Sequence, residues 1–151
     1  MVKRNFLLTI LLIMTTNLLA ELPPYYYKQL QDEAPEQLMI KILSVDTSTF
    51  SDQEINVKAK AIILNVKHSE DNLTSGDEIT IKYSIVTSRP KGWVGPSNLP
   101  ILQEGEKYIA FLKTAIDEKS KPTINDSKQI DYYPAARGKS FVSSMDLFEK
   151  D

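Results

Sequence analysis

The heptapeptide Ile79-Thr80-Ile81-Lys82-Tyr83-Ser84-Ile85 reads as a β-strand from its side chains alone. Ile79, Ile81, Tyr83 and Ile85 recur at a period of two, with Thr80, Lys82 and Ser84 between them. Successive strand side chains point to opposite faces, so this alternation buries one face and leaves the other in water. The buried set is β-branched and aromatic, which suits a pleated, half-covered surface.

The same period extends on both sides. Leu38, Ile40 and Ile42 alternate with Met39 and Lys41 and predict a first strand over residues 38–46. Ile55, Val57, Ala59, Ala61 and Ile63 predict a long second strand. Beyond Ala61 both of its faces turn apolar through Ile62, Leu64 and Val66, which predicts a bend, a bulge or a covered second face. Polar residues predict connections over 47–54 and 67–78, with Gly76 at the turn of the latter. Three prolines (Pro90, Pro96, Pro100) and three glycines (Gly92, Gly95, Gly105) predict a long irregular loop over 87–105. Lys107–Leu112 predict strand four, residues 114–128 a polar loop, and either 130–133 or 139–142 a short fifth strand. Residues 21–37, with Pro23, Pro24, Tyr25, Tyr26, Tyr27 and Pro35, predict an extended lead-in with at most one helical turn. Residues 143–151 predict a tail ending in a short helix. All five glycines fall in turns or loops, so local and global signals agree on an all-β domain.

The first twenty residues are of another kind. Lys3 and Arg4 precede the apolar run Phe6–Met14, and a small residue stands at Ala20. These are the three parts of a cleavable secretory signal, and the run is too short for a spanning helix, which needs about 20 apolar residues. The expectation is therefore an exported protein, periplasmic or secreted, with no stable membrane span after cleavage. Removal of residues 1–20 takes two of the 18 Lys and Arg and none of the 20 Asp and Glu, so the net charge becomes 16 − 20 = −4. That balance gives no electrostatic reason to seek nucleic acid. The chain has no cysteine, which removes disulfide, thiol and thiolate-metal chemistry.

The strand order, the long second strand and a glycine turn before strand four resemble a five-stranded antiparallel OB-like Greek-key barrel over residues 38–142. Within that class the chain is similar to the netrin-module and tissue-metalloproteinase-inhibitor-like group. The similar stretches are Ile40-Lys41-Ile42-Leu43, Val57-Lys58-Ala59-Lys60-Ala61, and Leu102-Gln103-Glu104-Gly105-Glu106-Lys107-Tyr108-Ile109-Ala110-Phe111-Leu112. Inhibitors of that group use disulfides and an N-terminal cysteine that chelates the protease zinc. Here Glu21 would begin the processed chain, so the resemblance implies the fold and not that mechanism.

Catalytic and metal chemistries find few residues. His68 is the only histidine; it neighbours Ser69, but adjacent residues at a strand end diverge, and no elbow motif surrounds the serine. One His and no Cys leave no transition-metal set. Asp71–Asp77 lacks the oxygen donors of a calcium loop, with Leu73 at a ligand position and Lys82 where the glutamate should stand. Glu104 and Glu106 flank a turn and predict solvated charge. No cofactor is called for. The candidate binding residues are Arg89, Lys91 and Trp93 in the first Gly/Pro loop, and Tyr132 and Arg137 in the second aromatic segment. Aromatic anchors beside cations are typical of interfaces. The expectation is a non-enzymatic binding module for a small ligand or another envelope protein, with Trp93 either an anchor or a plug of the barrel end. The alternatives are an envelope hydrolase using carboxylates not placed by sequence, and a protease inhibitor by fold resemblance.

Overall fold

A computed structural model of the chain describes residues 23–89, 91, 97–114 and 130–143. One helix, α1 (Pro24–Asp32), precedes β1 (Glu36–Ser51), β2 (Glu54–Ser69), β3 (Glu78–Val86), β4 (Lys107–Thr114), β5 (Asp131–Pro134) and β6 (Phe141–Ser143). The expected signal (residues 1–20), most of the 114–128 loop and the tail helix lie outside the described residues.

β1, β2 and β3 form an antiparallel meander, β4 returns to pair with β1, and β5 fits between β3 and β4. The order β1-β2-β3-β5-β4 thus closes on β1 as a five-stranded barrel, consistent with the OB-like type. One correction concerns the expected antiparallel sheet: β3 and β5 run parallel, through Thr80↔Asp131 and Ile81↔Tyr132. Strict up-and-down alternation cannot be kept around a closed ring of an odd number of strands, so one neighbouring pair has to run parallel.

The period-two residues fill the interior. Ile79, Ile81, Tyr83 and Ile85 of β3 meet Leu38, Ile40 and Ile42 of β1 and Val57, Ala59, Ala61 and Ile63 of β2 in one buried cluster. Tyr108, Ala110 and Leu112 of β4 complete it with Tyr132 and Phe141. Phe141 seals one end, its ring 5.7 Å from Tyr83 and 6.4 Å from Tyr108. Of the bend, bulge or covered face expected late in strand two, the bulge is found: pairing skips Leu64 and Lys67, and β1 answers with skips at Leu43 and Phe50. Each extra residue sharpens the local bend that a small barrel requires.

Three boundaries differ from the sequence expectation. The lead-in is not extended from 24 to 32 but forms α1, started by Pro24 in its first turn, where a missing N–H costs nothing. Tyr27 is its buried anchor. Residues 47–54 are not a polar connection but the outer part of a hairpin arm, paired down to Ser51↔Glu54. The arm is wet on both faces, so it carries no apolar alternation to betray it. β2 runs to Ser69, which puts His68 on a strand opposite Gln37. The two alternatives for strand five are both realised, as β5 and β6 in series along one edge of β4, joined by a 3-10 turn at Arg137–Lys139.

Candidate functional site

The polar residues of the alternating strands converge on the outer face. Asp46 lies across from Lys58, Lys58 across from Lys82, and Ser48, Asn56 and Ser84 form the next row. Tyr133 of β5 stands at the far wall. Together with Thr47, Val57 and Tyr83 these residues line an open groove of about 560 Å³.

The charges alternate in an unusual way across the floor. Lys58 and Lys82 face each other directly, an arrangement that repels across a strand pair. The strain is relieved on one side only. The Lys82 Nζ donates to Asp131 Oδ2 at 2.5 Å, a half-exposed ion pair. That hydrogen bond, against a smaller desolvation effect, raises the Lys82 pKa above its ordinary value, with the Asp131 charge and the Tyr133 phenol adding to it. Among the described residues Lys58 and Asp46 hold no ion pair and are free to meet a ligand. Ser84 Oγ donates to Asn56 Oδ1 at 2.8 Å, which leaves the Asn56 amide nitrogen as a donor facing the groove.

The residues singled out in the sequence are distributed differently. Arg89 is committed to its own loop: it donates to Asn98 Oδ1, while Asn98 Nδ2 donates to the Val86 carbonyl at 2.7 Å. Lys91 is exposed, and Trp93 lies outside the described residues. Tyr132 packs in the barrel core and is 2% exposed. Its neighbour Tyr133, one residue on, is the one that reaches the groove. The end of the 87–105 loop meets the Arg137–Lys139 turn, where Gly138 packs against Ser97. Arg137 is exposed beside that junction with a left-handed backbone (φ 49°), and its carbonyl accepts from Ser140 N and Oγ.

A second polar cluster lies where β1 begins. Glu36 is fully buried, and its Oε1 accepts from the Glu70 and Asp71 amides, each at 3.0 Å. The Tyr132 hydroxyl donates to Asp71 Oδ2 at 3.1 Å. Burial pushes the Tyr132 phenol pKa up, and the carboxylates of Asp71, Glu36 and Asp77 push it further. Glu36 and Asp71 thereby order the β2–β3 loop against the barrel, a structural duty that nothing in the local sequence pattern announced. Among the described residues no three His, Asp or Glu side chains come together as a metal-binding set.

Comparison with known proteins finds no family model that matches the chain and no curated protein with significant similarity to it.

Proposed function

We propose that this chain is an exported, non-enzymatic binding module that receives its ligand in the outer groove of β1, β2, β3 and β5. The observation that carries this reading is the placement of Lys58 directly opposite Lys82 on the groove floor, with only Lys82 of the two ion-paired among the described residues. Two ammonium groups held close favour a ligand that brings a carboxylate or other anionic group between them, and Tyr133 supplies an aromatic wall for its remainder. A small acidic ligand, or an acidic segment of another envelope protein, fits that chemistry. Export to the periplasm or the medium is supported by the basic tip, apolar run and Ala20 of the first twenty residues.

Likeness to the netrin-module and metalloproteinase-inhibitor group is proposed at the level of the barrel alone. A chain without cysteine has no means to chelate a protease zinc in that group's manner.

The test is a titration of isotope-labelled protein with acidic dipeptides and small dicarboxylates, followed by amide shifts. Shifts centred on residues 56–58, 82–84 and 133, and lost in Lys58→Gln, are the expected result. Shifts spread elsewhere, or unchanged by Lys58→Gln, would count against the groove.

A further inference from the structure

Among the described residues, the outer half of β1 has one paired edge and one open edge. Ile63 of β2 donates its N–H to Asp77 and accepts from Gly76, so it faces β3. By alternation Ala61, Ala59, Val57 and Ile55 also face β3, and Lys60, Lys58 and Asn56 face β1. Their register partners Ser44, Asp46 and Ser48 therefore hold the inward amides of β1. Val45, Thr47 and Thr49 turn their N–H and C=O groups the other way. On that side β4 pairs only as far as Lys41↔Lys107, and Ile42 closes the ladder with Glu106 and Gly105. Among the described residues nothing pairs with Val45, Thr47 or Thr49 on the open side.

Such an edge is a template for another strand, and proteins usually guard it with lysine, proline or a covering loop. Residues 44–51 (Ser-Val-Asp-Thr-Ser-Thr-Phe-Ser) contain neither lysine nor proline and a single charge, Asp46. The skips at Leu43 and Phe50 bracket the segment and leave 44–49 regular.

We propose that this edge pairs with the same edge of a second copy of the chain, antiparallel about a two-fold axis at Thr47. In that register Thr47 meets its own copy and Val45 meets Thr49 of the second copy, each pair exchanging two backbone hydrogen bonds. The intervening side chains complement one another: Asp46 falls opposite Ser48, whose hydroxyl can donate to the carboxylate, and never opposite a second Asp46. The edge is thus complementary to itself, as a two-fold interface requires. A two-fold axis normal to the sheet keeps both outer faces on the same side, so the groove of each copy stays open. The contact is short, so the association is weak and depends on concentration, as for interfaces below about 1,200 Å².

Sedimentation and single-cysteine cross-linking test the proposal. The average mass of the purified protein should rise toward twice the monomer between roughly 10 µM and 1 mM, the span of a weak equilibrium. Thr47→Pro removes only an outward N–H, which an edge strand tolerates, and should stay monomeric with an unchanged circular-dichroism spectrum. Because the chain has no other cysteine, Thr47→Cys should give a covalent dimer with a short bismaleimide. Asp52→Cys, which stands roughly 30 Å from its copy in this register, should not. Wild type that stays monomeric at the highest concentration would overturn the proposal. So would a folded Thr47→Pro that associates like wild type, or equal cross-linking at 47 and 52. Should Thr47→Pro fail to fold, the contrast between the two cysteine variants decides alone.

Discussion

A methyl group built on Gly138 would stand 2.6 Å from the carbonyl oxygen of Ser97, closer than any real side-chain carbon approaches a backbone atom. The 3-10 turn before β6 and the end of the 87–105 loop are therefore packed backbone to backbone. Gly138→Ala forces them apart and should destabilise the fold by about 1–3 kcal/mol, the usual range for overpacking. A fall in the urea midpoint measures it, and the Val86–Asn98 hydrogen bond should loosen first, because Asn98 follows Ser97 directly.

Glu36 gives a second prediction. Its Oε1 holds two loop amides inside a fully buried site, while Oε2 has no partner there. Glu36→Ala leaves the Asp71 amide without its acceptor and the Glu70 amide with the Pro35 carbonyl alone, and should cost about 1–3 kcal/mol. Glu36→Gln keeps an acceptor oxygen and should cost less than half as much. Equal losses in denaturant unfolding would mean that the carboxylate's charge matters more than its oxygen.

The tyrosines set an alkaline limit. Tyr83 donates to the Pro100 carbonyl at 2.8 Å, and burial pushes its pKa up to about 12, against a smaller opposing effect of the Leu102 amide that bonds to it. Tyr132 shifts in the same direction. A group that holds its proton more tightly folded than unfolded contributes stability below the unfolded pKa of about 10, lost as pH rises toward the folded value. Stability should thus be flat toward pH 10 and fall from there to about pH 12. In Tyr83→Phe the fall should be shallower; an identical slope would show that Tyr83 is not the titrating group.

The barrel was legible because its interior is written at period two in β1, β2, β3 and β4, and the inward positions named from sequence are buried except Ile55, which is half-buried at the start of β2. The hairpin arm was not, since Thr47 and Thr49 bury neither face and leave only β-propensity as a signal. α1 was obscured by Pro23, Pro24 and three consecutive tyrosines, which read as extended chain until Tyr27 finds a place to pack. The groove was half legible. Lys58, Lys82 and Ser84 are visible as outward positions, but register alone puts Lys58 opposite Lys82. Tyr132 and Tyr133 could be told apart only by fixing the parity of β5, and two residues paired with β3 do that in space, not in sequence.

That parity makes the last prediction sharp, because stability and binding should separate at Lys82. Its ion pair with Asp131 is 40% and 32% exposed at the two side chains, and half-exposed pairs contribute about 0–1 kcal/mol. In Lys82→Ala, Asp131 can return to water and the repulsion with Lys58 disappears, so the two changes partly cancel. Thermal unfolding should therefore move by only a few degrees, whereas the groove loses one of its two cations and affinity for acidic dipeptides should drop by about tenfold, or 1.4 kcal/mol. Lys82→Arg restores the charge on a planar group able to hold Asp131, and should recover most of the binding. A Lys82→Ala protein that binds like wild type would place the ligand elsewhere, and one that unfolds would make Lys82 a support of the sheet.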